Sequence, residues 1–486
     1  MQRPITTTAG PKPLRLLYRP ASGRPRGRSR DPREQRSRSM TERMTSTESQ
    51  TPNATPAPAS DGRPTAAALA ALIAGGLAFA VSCAVVFSPA HDPRAEYDQE
   101  EFHRVAIEQF AADWPAVDLG DYASATTPAY HLIMAAALRY VADDLSMLRL
   151  IGSLFTVGLL ATLAGWIAYR RSAAAGVVFT LPLLASLYVI ASAGWLLPDN
   201  AGWWTAAAAI MLALSSPVRP RTLIAFAILF VIVVLFRQVH AWVVFPMLAA
   251  AACRPPGTGD AAAGAITPRD RLRGLAGAGL AALPAVAALG AFVWLWGGLV
   301  PPRFHDFHAS LSPIAPAFIL ALLAIYSVPF APWLFRRGPD AAPRFGRAEI
   351  LTLLAALALA AIPLSSYDVE AGRSSGLWNL LRMTPAIADR SPLLIALAGL
   401  GGVALVRWLR GLPPRDRWVM LLALLGFTLS QIATGHAWQR YSEPLLLIWI
   451  ALALGRTNRL LTRPAMLGAA TAAALLASVS IAKLAM

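Results

Sequence analysis

The chain has 486 residues, of which 56% are hydrophobic and only 14% charged, a composition outside the range of soluble globular proteins. Its net charge of +16 would point to nucleic acid in a soluble protein. Here no nucleic-acid partner is expected, because the excess Arg sorts into alternate short loops, as it does where basic residues stay in the cytoplasm. Cys83 and Cys253 both fall in apolar stretches, so neither a disulfide framework nor a cysteine-based metal site is expected.

Residues 1–64 hold 13 Arg plus Lys against 5 acids, with Pro, Ser and Thr throughout and no apolar periodicity. Such a segment cannot bury a core and reads as a disordered, basic cytoplasmic tail. Its Arg and Ser bias loosely resembles a transit peptide, and Met40 and Met44 are alternative starts. The remainder, 65–486, reads as one all-α polytopic membrane domain.

The first apolar stretch, 65–88, starts from that tail and leads into a first outer loop, 89–146. Its first part, 89–127, carries 9 acids against 2 Arg. The next apolar segment, 127–141, has 15 residues and Arg139 near its end, where a span needs ~20. If it crossed, Arg170, Arg171 and every later basic loop would lie outside, so an interfacial, non-spanning helix is expected. Further crossings are predicted at 147–168, 173–193, 200–216, 220–236, 239–253, 274–298, 314–335, 348–366, 391–408, 417–433, 443–455 and 464–484, about 13 in all with the first. The loops 217–221, 254–273, 336–347, 407–417 and 456–463 then become cytoplasmic, and all seven His fall at or near the opposite face.

Three constellations on that face carry possible chemistry. In "EYDQEEFH" (96–103), Asp98, Glu100 and Glu101 precede Phe102 and His103. If 97–112 is helical, Phe102, Ile107 and Phe110 rest on the membrane while the acids face a cavity, where a low dielectric suits a carboxylate to general-base work. The alternative is an ordinary solvated acidic loop. In "FRQVHAW" (236–242), Arg237, Gln238 and His240 end a helix; a buried Arg there requires a partner, and phosphate fits its forked geometry, the alternative being an Arg that snorkels to headgroups. In "HAWQRYSEP" (436–444), Arg440 and Tyr441 offer a second cation, with a structural Arg440–Glu443 pair as the alternative. Asp199 in "LPDN" is a further candidate. "HDFH" (305–308) has metal-like spacing, but no second cluster completes four ligands, so no metal and no cofactor is expected.

"YDQEEFH" with "DWPAVDLGDY" and "SATTPAYHL", then "LPDN", "FRQVHAW" and "QRYSEP", resemble in order the α-1,2-glucosyltransferases that use dolichyl-phosphate glucose. The resemblance implies the GT-C class: polytopic glycosyltransferases with interfacial helices before the second span and a catalytic acid in the first outer loop. The family carries an adjacent Asp-Glu before its Phe-His, where this chain reads Asp98-Gln99-Glu100-Glu101. Aligned on Phe102-His103, Glu100 keeps the Glu and Gln99 replaces the Asp; a one-residue shift brings in Asp98 instead. The expected base is therefore Asp98 or Glu100. Arg237, Gln238 and Arg440 are expected at the donor phosphate, and Glu101, His103, Asp199, His240 and Tyr441 at the substrate.

The expected activity is transfer of a hexose, such as glucose, from a polyprenyl-phosphate sugar donor to a lipid-linked or cell-envelope glycan acceptor. The expected location, among membrane lipid, is the bacterial plasma (inner) membrane, with the active site on the non-cytoplasmic face. A transporter, or a lipid-linked saccharide flippase or ligase, is the alternative; no internal repeat of the transporter kind is visible.

Overall fold

The computed structural model describes residues 62–215, 217–253, 267–308, 310–336 and 345–485. The predicted tail, all but its last residues, and most of the loops 254–273 and 336–347 lie outside the described residues. The described residues are helical and contain no strand.

Twenty α-helices follow one another: α1 (Gly62–Val86), α2 (Pro93–Asp98), α3 (Arg104–Ala112), α4 (Ala129–Tyr140), α5 (Leu145–Arg170), α6 (Ala173–Leu184), α7 (Leu187–Gly194), α8 (Asp199–Ser215), α9 (Pro220–Phe236), α10 (Val244–Ala252), α11 (Pro268–Trp296), α12 (His305–His308), α13 (Ala315–Ser327), α14 (Ala331–Leu334), α15 (Arg347–Ala361), α16 (Leu377–Leu381), α17 (Pro392–Arg410), α18 (Pro414–Ile432), α19 (Gln439–Arg456) and α20 (Arg463–Leu484). Each segment predicted as a crossing overlaps one of these helices or two in succession, although 239–253 begins in a 3₁₀ helix (Gln238–Val243) and 348–366 runs past the end of α15. Among the described residues, six helices are long and apolar enough to cross a membrane, or seven if α6 and α7, bent by 81°, form one broken span. The chain therefore has the build of an integral membrane protein. The other predicted crossings are helical but shorter or less apolar.

Local chemistry sets the helix ends. Asp144 caps α5 by accepting from the Met147 amide at 2.7 Å, and Ser172 caps α6 through Ala175 at 3.2 Å. Pro182 removes a backbone donor inside α6, and the chain breaks shortly after it, before α7. Small residues let α13, α15 and α17 approach closely: a Cβ on Gly401 would run into the Leu320 carbonyl. On α9, Ile224, Ile228 and Ile232 recur every fourth residue and face outward, as a lipid-facing stripe does.

The central helix is α19, where every residue from Ser442 to Gly455 is buried. Its last residue, Arg456, pairs with Asp416 at 2.6 Å, and near that end Arg407 pairs with Glu349 at 3.1 Å. Its first turn carries Arg440. These two charged ends stand about 24 Å apart by the rise of an α-helix, close to the depth of a hydrocarbon core.

Helix α4 spans only about 18 Å and lies against α3 and the start of α5. Arg139 on it donates to the Ala111 carbonyl at 3.0 Å. Single cysteines at Asp121 and Asp143, in a chain lacking Cys83 and Cys253, are expected to label from the same side of the membrane. Labelling from opposite sides would make α4 a crossing.

Candidate functional site

The acidic segment is helical as predicted, with one irregularity. Between α2 and α3, residues Gln99–His103 form a π turn, which places one extra residue in the helix. Its neighbouring polar side chains differ in exposure, although Gln99 Nε2 donates to Glu100 Oε1 at 2.5 Å. Gln99 is buried, accepting from Arg149 Nε at 2.8 Å and the Leu196 amide at 3.2 Å. Glu100 is exposed and pairs with Arg104 at 2.9 Å, and Glu101 is exposed as well. Only Asp98, of the three acids, lines the neighbouring cavity, together with Phe102 and His103. The expectation that Ile107 and Phe110 rest on the membrane is corrected: both are fully buried, in a core with Tyr122, Tyr130, Met134 and Trp296.

Asp98 Oδ2 is bonded by Arg440 Nη1, and the other Asp98 oxygen accepts no hydrogen bond from the described residues. Arg440 Nη2 reaches Asp199 Oδ2 at 3.3 Å, and Arg237 Nη1 pairs with Asp199 Oδ1. The result is a chain of alternating charge, Asp98–Arg440–Asp199–Arg237, gathered from four distant stretches of sequence. Tyr441 lies 5.4 Å and 5.5 Å from the Arg237 and Arg440 guanidinium carbons, close enough for cation–π attraction. Asp199 is 4% exposed and Arg237 9%, so neither ion is hydrated enough to stand alone. Gly202 on α8 makes room for this packing, since a Cβ there would come within 2.9 Å of both Arg237 and His240.

The cavity has a volume of about 710 Å³. Arg237, His240, Arg440, Tyr441 and His103 line it, together with the apolar Phe245, Leu289, Phe427 and Leu429. These apolar members come from α10, α11 and α18. The lining thus combines cationic with apolar side chains.

The residues singled out from sequence are therefore mostly brought together, but not all in the expected roles. Gln238 lines the cavity with its amide committed: Oε1 accepts from the Thr127 amide at 3.0 Å, and Nε2 donates to the Ala125 and Leu299 carbonyls at 2.7 and 3.0 Å. It ties the 122–128 loop to the end of α11 and has no donor left for a phosphate. His240 is buried, its Nδ1 accepting from Trp242 Nε1 at 3.3 Å. The Arg440–Glu443 pair does not form. Glu443 instead accepts from Ser186, Tyr326 and Gln439, the last at 2.7 Å. Among the described residues no group of three or more His, Cys, Asp or Glu gathers closely enough to hold a metal.

Sequence reasoning missed His131, which is buried on α4 and hydrogen-bonded through Nε2 to His103 Nδ1 at 3.0 Å. Its only visible signal was a polar ring in an otherwise apolar helix. Burial pushes His131 down to about 3, and burial with the nearby His131, Arg440 and Arg237 holds His103 well below the usual imidazole range.

Comparison of the chain with protein-family models, with curated proteins and with solved structures returned no match.

Two outcomes follow from these contacts. Asp199→Asn removes the counter-charge shared by both Arg and should cost about 3–5 kcal/mol of stability, read as a lowered melting temperature in detergent; an unchanged midpoint would contradict the bridging role. The His pair is held neutral, whereas an unfolded His takes up a proton near pH 6.5. Stability is therefore complete above about pH 6.5 and falls by up to about 1.4 kcal/mol per His per pH unit below it. The melting temperature of His131→Gln should fall less steeply with acid than that of the unaltered protein; equal slopes would place the acid sensitivity elsewhere.

Proposed function

We propose that this chain is a membrane glycosyltransferase of the GT-C kind, moving a hexose from a polyprenyl-phosphate carrier to a glycan acceptor on the non-cytoplasmic face. The observation that carries this reading is that Arg237 and Arg440, joined through Asp199, line a cavity that the apolar Phe245, Leu289, Phe427 and Leu429 also line. A polyprenyl phosphate carries an anion and a hydrocarbon for such a lining. The Nε–H groups of Arg237 and Arg440 have no hydrogen-bond partner among the described residues, a rare condition for buried donors that a phosphate oxygen would relieve.

In this reading, the thirteen helical segments are crossings, α4 is interfacial, and the Asp98 end of the molecule faces away from the cytoplasm. Asp98 is the base. Its Oδ2 is fixed by Arg440 while Oδ1 is left to take the proton of the acceptor hydroxyl. The acceptor oxygen attacks the anomeric carbon, the bond from that carbon to the phosphate oxygen breaks, and the electron pair leaves with the phosphate. Arg237 and Arg440 stabilise that charge, which a water-poor site makes worth more than it is in water. The π turn supports Asp98 over Glu100: it adds one residue between Asp98 and Phe102-His103, the shift the family resemblance required. Glu100 and Glu101 lie outside the cavity lining and have no part in the step.

One observation favours a second reading. The break between α6 and α7 places Ser186 on Glu443, a buried acid with three donors and no cation. Broken helices with buried polar groups also build transporter sites. A transporter or flippase would move a lipid-linked saccharide without changing it.

Membranes supplied with a panel of radiolabelled polyprenyl-phosphate sugars distinguish the two, since only a transferase yields a new glycosidic product. Asp98→Asn should lower turnover by ~10²–10⁴-fold while donor binding persists. Arg237→Lys keeps the charge but loses the fork, so turnover should fall strongly with insertion unaffected. Full activity in Asp98→Asn alongside an inactive Glu100→Gln would transfer the base to Glu100.

A further inference from the structure

One proton lies between His103 Nδ1 and His131 Nε2, 3.0 Å apart, and its position decides what His103 offers the cavity. His131 is fully buried, enclosed by the rings of Phe110, Tyr122 and Tyr130, and its Nδ1 has no hydrogen-bond partner among the described residues. If His103 donates, a neutral His131 must carry its proton on Nδ1, leaving a buried N–H with no acceptor. If His131 donates, its Nδ1 is a bare lone pair instead. Orphaned buried N–H groups are the rarer and more costly case. The second arrangement therefore prevails, and it leaves the proton of His103 on Nε2.

We propose that His131 locks His103 in its Nε2–H form, so that His103 is a neutral third hydrogen-bond donor to the phosphate addressed by Arg237 and Arg440. This rests on the lipid-phosphate reading above. His103 lines the cavity, and its Nε2 makes no hydrogen bond within the described residues. Burial holds both rings below the usual imidazole range, and His131, Arg440 and Arg237 add to the effect at His103. A neutral donor adds a hydrogen bond to the leaving phosphate without a third positive charge, so the product is not held by charge alone once the sugar has gone. No proton leaves His103 in the step. His131 touches no substrate and is a positioning residue.

The test is nitrogen NMR of protein labelled with ¹⁵N-histidine in detergent at about pH 7.5, where the two ring nitrogens report which one is protonated. Differences against His103→Gln and His131→Gln assign the signals among the seven His. Both His103 and His131 should be protonated at Nε2, and farnesyl phosphate should shift His103 Nε2. His131→Gln, whose amide still donates to Nδ1, should retain the His103 form, whereas His131→Phe should lose it. His103 protonated at Nδ1 overturns the proposal. Farnesyl phosphate that binds without moving His103 Nε2 also overturns it, yet leaves the lipid-phosphate reading standing. An equal shift with inorganic phosphate at the same concentration assigns the site to free phosphate and overturns the lipid source. If neither phosphate binds, both readings fall.

Discussion

The chain of charge from Asp98 through Arg440 and Asp199 to Arg237 ties the molecule together at one end. Its four members come from the end of α2, the start of α19, the start of α8 and the residue after α9. Asp199 and Arg237 are buried, and a buried charge without its partner costs several kcal/mol, whereas the side chains of Asp98 and Arg440 stay partly exposed. The starts of α8 and α19 and the end of α9 must therefore converge before Asp199 has both its partners. The requirement fixes the relative height of helices whose apolar sides would otherwise slide against one another.

Two carboxylates neutralise two guanidiniums, but the sharing is uneven: Asp199 holds both Arg, while Asp98 holds only Arg440 and keeps one oxygen unoccupied among the described residues. Forked guanidiniums can exchange a carboxylate for a phosphate without changing rotamer. Tyr441 lies beside both Arg, and Gly202 yields the space they occupy. Gln238 contributes at one remove by closing the 122–128 loop over the cavity.

How much of this was legible depended on the kind of interaction. Helix positions follow from apolar length and Pro, Ser and Asp caps, which are local, so every predicted crossing overlaps helix. The charged residues that mattered, Asp98, Asp199, Arg237 and Arg440, stood out because each is an ion beside an apolar stretch. Their pairing was not legible, because it joins residues hundreds of positions apart; Glu443, three residues from Arg440, was the obvious local partner and the wrong one. Nor does composition announce a π turn, which trades one backbone register for another. His131 escaped notice because a ring in an apolar helix is ordinarily a packing residue. Its meaning comes only from the second His that the fold brings to it.

Glu443 shows how the site is braced from behind. It lies just past Arg440 along α19, and its carboxylate accepts from Ser186 at the α6–α7 break and from Tyr326 on α13. Gln439 donates to the same carboxylate at 2.7 Å and accepts from the Leu377 amide at 2.7 Å. Glu443 and Gln439 together thus fasten the start of α19 to three other parts of the molecule. A broken helix offers hydroxyl and backbone groups that an unbroken one would spend on itself, and here the break supplies Ser186. Arg440 is then held at its backbone by this brace and at its tip by two carboxylates. An ion fixed at both ends has little freedom left to lose on binding, and in the proposed reading that preorganisation is what fits this arginine to hold a phosphate.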